Sequence, residues 1–257
     1  MLYIMTGGNI EIFAFPLNVI LLLIWAGAVI TSWHSARDSA FVRFMLRPAA
    51  TVSAIIITLI FSLIIGLTGY RSFVTSCAFI TVLLYFQTVL AYVLLRGWRR
   101  NGNVRLRFVF LHFGLLLAVA SSFWSAPDNM TYRTKAVKDT PVSEVYTADG
   151  RREWLKYDIE LKESDVTYDN SGVPSDYCAD VLVDGRSVTL KVNHPYSVSL
   201  AETVYLTSID ARDLNSCVLQ IVYEPCRYVT LSGIVMMLIG AMLLFINGPR
   251  KRKEVMS

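Results

Sequence analysis

Five stretches of the chain carry no Asp, Glu, Lys or Arg: Ile12–Ser32, Thr51–Tyr70, Phe73–Leu95, Phe108–Pro127 and Tyr228–Gly248. Each is about 20 residues long, which a helix needs to cross a bilayer core of ~30 Å. The pattern predicts five transmembrane helices. Between the fourth and fifth runs the period changes from unbroken apolar to alternating. "YCADVLVDGRSVTLKV" (177–192) is two alternating runs joined by Asp184-Gly185, a strong short hairpin signal. "EWLKYDIEL" (153–161), "ETVYLTS" (202–208) and "SCVLQIVY" (216–223) are further strand candidates. No helical period of useful length falls between Asp128 and Arg227. The predicted fold is a membrane protein of about five transmembrane α-helices, with one β-rich domain, a sheet or sandwich, between helices four and five.

Composition agrees with the pattern. Of 257 residues, 54% are hydrophobic and the mean hydropathy is +0.48, too apolar for an ordinary soluble domain. The first run follows no Lys or Arg and precedes no small-x-small site, so it is expected to stay in the mature protein rather than be cleaved as a signal.

Charge changes the picture by assigning sides. Loop 33–50 carries Arg37, Arg43 and Arg47; loop 96–107 carries Arg96, Arg99, Arg100, Arg105 and Arg107; the tail carries Arg250, Lys251, Arg252 and Lys253. These alternate with the nearly uncharged N-terminus, the short loop around Arg71 and the long 128–227 segment. Basic loops favour the cytoplasm. The expected topology is therefore N-terminus outside, C-terminus cytoplasmic and residues 128–227 outside a bacterial inner membrane. Residues 1–127 form the four-helix region, 128–227 the extracytoplasmic domain, and 228–257 the last helix with its basic tail. Segment 128–227 has 17 acidic and 11 basic residues, net −6, and the remainder has 24 − 11 = 13 basic and 20 − 17 = 3 acidic, net +10. The overall +4 is thus no nucleic-acid signature, and the basic rim faces anionic lipid.

Cys77 lies inside the third run and reads as a packing residue. Cys178, Cys217 and Cys226 fall in the segment expected on the oxidising side. Cys178 and Cys217 both sit in strand-like runs and are expected to be neighbours that pair, with Cys226 an alternative partner. No C-x-x-C, C-x-x-C-H, nucleotide-binding loop, H-E-x-x-H or nucleophile elbow occurs, which argues against thioredoxin-like, kinase or conventional hydrolase chemistry.

Among the three histidines, His34 reads as an interfacial residue after the first helix, and His194, in "VNHPYSV", as a turn residue. His112 differs, because it falls about one turn into the fourth run, where ionisable side chains are rare and mark bundle interiors or functional sites. Gly114, Ala118 and Ser122 recur every four residues beside it, a small-residue stripe for close helix approach. Phe108, Leu115, Leu116 and Val119 share the side of the histidine. An imidazole among apolar groups suits an axial ligand of haem iron. It suits plain helix packing equally well.

"YDIELKESDVTYDNSGVPSDYCADVLVDGRSVTLKVNHPYSVSLAETVYLTSID" (157–210) resembles the external domain of the ResB family, also called CcsB. "YEPCRYVTLSGIVMMLIGAMLLF" (223–245) resembles the family's last helix, with Glu224-Pro225-Cys226 where Asp-Pro-Gly is usual. "LHFGLLL" (111–117) resembles its histidine-bearing helix. The resemblance implies a system II cytochrome c biogenesis component. Such a protein works with a CcsA-like membrane protein to bind haem in the membrane and deliver it to apocytochrome c, whose thiols add to the haem vinyl groups. It implies that His112 is an axial haem ligand, with haem held transiently and shared with the partner, and that this chain is a non-catalytic subunit of the synthetase. The tryptophan-rich motif of CcsA is missing here; Trp25, Trp33, Trp98, Trp124 and Trp154 are scattered. The partner is therefore expected to supply the haem platform and the second ligand. A membrane receptor with an external β domain is the alternative reading, and its loops are too short for an output domain. A transporter is weaker still, since no broken helices or paired buried charges appear.

Overall fold

The computed structural model describes residues 10–69, 71–100, 103–171, 174–210 and 213–246. The basic tail residues Arg250, Lys251, Arg252 and Lys253 lie outside the described residues. The chain divides into two compact units, Met1–Pro127 with Cys226–Ser257, and Asp128–Pro225.

The first unit is helical: α1 (Leu17–Ser35), α2 (Ala40–Met45), α3 (Pro48–Thr68), α4 (Cys77–Gly97), a small hairpin of β1 (Arg99–Arg100) and β2 (Asn103–Val104), α5 (Leu106–Ser125) and α6 (Arg227–Ile246). All but α2 are long and apolar enough to cross a membrane, five candidate spans in all, and the protein is a multi-pass membrane protein. The helix starts are set by local chemistry. Proline at the first position of α3 starts that helix at Pro48, three residues before Thr51. Ser76 caps α4, its Oγ accepting from the Phe79 N–H at 3.3 Å. Cys77 is consequently the first residue of α4 and exposed, not a packing residue inside the helix. Gly69, at φ 64°, closes α3 in the left-handed conformation that glycine adopts without strain.

Short polar pairs tie these helices. The Trp25 indole N–H donates to Thr88 Oγ1 at 3.0 Å, Ser32 Oγ and Tyr92 OH bond at 2.6 Å, and Ser53 Oγ and Tyr85 OH at 2.9 Å. The Asn18 side-chain amide donates to the Trp124 carbonyl at 2.9 Å, joining the start of α1 to the end of α5. α5 and α6 meet through glycine. A Cβ on Gly233 would lie 2.6 Å from Ala118 N and 2.7 Å from Gly114 O, and one on Gly240 2.8 Å from Leu111 N. The Gly114–Ala118 stripe thus meets a matching stripe on α6. Ser121 and Ser122 extend the seam by hydrogen bonds to Thr230 Oγ1 at 2.8 and 3.4 Å.

The second unit is a single antiparallel sheet: β3 (Met130–Val137), β4 (Val142–Thr147), β5 (Arg152–Tyr168), β6 (Pro174–Val183), β7 (Arg186–Lys191), β8 (Tyr196–Ser197), β9 (Glu202–Asp210) and β10 (Asp213–Tyr223), in the order β7-β6-β5-β4-β3-β10-β9-β8. The expected hairpin is there. Val183 pairs with Arg186 across Asp184 (φ 50°) and Gly185 (φ 73°), the two positive-φ positions that a tight hairpin turn requires. Alternation sends Ala179, Val181 and Val183 of β6 inward. The sheet curls so that β6 and β7 pack against β9, and β5 against β10. Ile159, Leu161, Leu190, Leu219 and Ile221 fill the space between at no measurable exposure.

Cys178 and Cys217 are not neighbours. Cys178 lies on β6, opposite Lys191 and Asp165, whereas Cys217 lies on β10, opposite Ala136 and Ile209. Strands β5, β4 and β3 stand between them, and both are free thiols, as is Cys226. Strand-like sequence placed both in the sheet, but alternation says nothing about strand order. His194 does occupy a turn, paired with Lys191 next to Asn193 at φ 63°.

Candidate functional site

His112 sits in the second turn of α5, half-buried. Its ring is held by its own helix. Nδ1 lies 2.9 Å from the Phe108 carbonyl oxygen one turn back. A carbonyl oxygen can only accept, so Nδ1 carries the hydrogen, and in the neutral ring the lone pair belongs to Nε2. The Phe108 ring lies against one face of the imidazole, with centroids 3.9 Å apart and planes 23° apart.

Phe108 is fixed in turn. Its ring rests on Gly97, the last residue of α4, where a Cβ would come within 2.3 Å of the ring carbons. That close approach is what the glycine permits. The Arg105 guanidinium stands over the same ring at 4.8 Å and donates to the Gly97 carbonyl at 3.3 Å. Arginine, phenylalanine and imidazole therefore stack in series at the start of α5. Further along, Leu116 packs against the cluster containing Val29, Val89 and Tyr92 of α1 and α4.

The arrangement suits a single axial bond to haem iron. Coordination uses the in-plane lone pair of Nε2, and stacking on the ring face does not obstruct it. A hydrogen bond from Nδ1 to a backbone carbonyl fixes the tautomer and ring orientation of a ligating histidine. Among the described residues no three His, Cys, Asp or Glu side chains converge. His112 therefore offers a single free ring nitrogen, Nε2, and belongs to no cluster of ligating side chains among the described residues. His34, exposed at the end of α1, and His194, exposed in the sheet unit, do not join it.

Neither thiol of the sheet strands is activated. Burial pushes the Cys217 thiol up to about 11, and burial with Asp180 nearby raises that of Cys178. Both stay protonated at neutral pH.

One polar residue escaped the sequence reading. Gln87, in the middle of α4, is fully buried and neither of its amide atoms has a hydrogen-bond partner. Its signal was there: a lone amide in "LLYFQTVLAY", where hydrocarbon makes polar groups expensive.

Residues 98–217 match the model of the ResB-like family, a range that takes in α5 with His112 and the sheet through Cys217. The segment is ResB-like. It covers just under half of the 257 residues, and α6 lies beyond it. No match is found among curated proteins. Among solved structures, the cytochrome c haem lyase CcmF aligns with 88% of this chain and 44% of its own, at 12% identity and a TM-score of 0.41. The chain thus spans less than half the length of that protein.

Proposed function

We propose that this protein is the ResB-type subunit of a cytochrome c maturation complex, and that His112 Nε2 is one axial ligand of haem held within the membrane. The observation that carries the reading is the 2.9 Å bond from Nδ1–H to the Phe108 carbonyl, inside the ResB-like segment, which leaves Nε2 as the free donor. Haem, when bound, supplies the vinyl groups to which apocytochrome thiols add. The residues of this chain bind and orient. Phe108, wedged between Gly97 and Arg105, holds the imidazole plane, and the α5–α6 glycine seam holds the helix that carries it. One histidine gives one axial bond, so a CcsA-like partner supplies the other ligand and the outer platform. The sheet unit lies outside the cell membrane in this reading and docks apocytochrome c or braces the partner. The N-terminus is then outside and the C-terminus cytoplasmic.

The test is His112→Ala, co-expressed with a CcsA-like protein, with haem absorbance normalised to folded complex. Haem per complex should fall to a small fraction of wild type, and added imidazole should restore part of it. Unchanged haem per complex, with normal cytochrome c maturation, would remove His112 from the ligand set.

A further inference from the structure

At one end of the helical unit, eight arginines (Arg37, Arg43, Arg47, Arg96, Arg99, Arg100, Arg105 and Arg107) share loops 33–50 and 96–107 with a single carboxylate, Asp38, and no lysine. The two loops are joined physically, since Arg96 Nη1 donates to the Leu46 carbonyl at 2.8 Å. Arg43, Arg47 and Arg107 have no ion-pair partner among the described residues. At this junction lies α2, which carries Arg43 and is followed by Arg47, a ledge fixed on its inner side. Val42 and Met45 are buried, and Ser39 Oγ caps the helix. Its outer side presents Phe41 and Phe44, 55% and 47% exposed, on either side of Arg43.

We infer that α2 and the arginines around it form a binding site for an anionic phospholipid. The exposed phenyl rings would take acyl-chain contact at the interface, and the arginines would take the phosphate. The exclusive use of arginine fits this, because a planar guanidinium grips phosphate oxygens in pairs where an ammonium offers only a point charge. A general excess of positive charge would be met as well by lysine and would need no rigid aromatic ledge. The inference does not depend on the His112 reading.

The experiment uses the full chain in detergent, with native mass spectrometry of bound lipid after adding phosphatidylglycerol or phosphatidylcholine. Wild type should retain phosphatidylglycerol in preference to phosphatidylcholine. The double variant Arg43→Gln, Arg47→Gln should lose about five-fold of that retention per arginine removed. Arg43→Lys, Arg47→Lys should fall between the two, and melting in phosphatidylcholine nanodiscs should stay the same for all three. Equal retention of the two lipids by wild type overturns the site without any variant needing to fold. So does undiminished phosphatidylglycerol on a folded glutamine variant. If that variant instead keeps its lipid and loses co-purification with the CcsA-like protein, the surface is a protein interface and the lipid assignment fails.

Discussion

The two units of this molecule are packed by opposite means. Between α5 and α6 the closest contacts are backbone on backbone, with Gly233 against Ala118 and Gly114, and Gly240 against Leu111. Inside the sheet they are side chain on side chain, with Ile159, Leu161, Leu190, Leu219 and Ile221 interlocked. The difference follows from the solvent each was built for. Lipid tails are as apolar as leucine, so burying leucine between spanning helices gains little and close fit must do the work. The sheet unit puts apolar residues in and charges out, and its stability comes from area removed from water.

Three substitutions would sharpen that contrast. The largest effect belongs to Ile159→Ala in the sheet core, where lost burial and the cavity left behind should cost about 4 kcal/mol. Hydrogen exchange on the full chain should show residues 128–225 losing protection while the spanning helices keep theirs. Equal loss in both units would mean they unfold as one. Gly233→Ala should cost about 2 kcal/mol, because the new methyl group meets backbone that cannot step aside. Gly27→Ala, with nothing within 4 Å of the added carbon, is the control and should leave thermal unfolding in detergent nearly unchanged. If the two variants melt alike, the seam is looser than its geometry.

The smallest effect is on pH dependence. The Tyr157 hydroxyl donates to Glu202 Oε1 at 2.7 Å, and burial, reinforced by that carboxylate, raises its pKa. A raised pKa gives stability that is complete below the unfolded value, about 10 for tyrosine, and is lost as pH climbs above it. Cys217, pushed from 9.0 up to about 11, acts in the same direction and begins to do so at lower pH. Wild-type sheet stability should therefore begin to fall above pH ~9 and fall further above ~10. Tyr157→Phe should start about 1 kcal/mol lower for want of the hydrogen bond and then fall less steeply. Parallel curves for the two proteins would show that Tyr157 is not the group responsible.

The sequence was most legible where one physical rule governs. Five spans follow from hydropathy alone, and the Asp184-Gly185 hairpin from the demand for positive φ. The Gly114–Ala118 stripe was visible too, although its partner on α6 could only be found in three dimensions. Strands β3 and β4 were missed. The inward positions of β3 include Thr134 and Ala136, too polar or too small to read as an apolar alternation. The expected disulfide failed because strand order depends on how the whole sheet curls, and no local pattern encodes it. At His112 the residue type and its place in the apolar run were readable. The bond to Phe108 and the seat on Gly97 were not, since both depend on rotamers and on where α4 ends.

The bond from His112 to Phe108 joins two residues of one helix, so the imidazole has no hinge of its own. Its nitrogen is aimed by the axis of α5 and by the Phe108 ring, itself seated on Gly97 of α4. A shift in how α5 leans on α6 would carry the donor atom along as part of a rigid rod, changing its position but keeping its angle to the helix. Substitutions at Gly233, on the other helix of the seam, should therefore misplace the nitrogen as effectively as changes beside it.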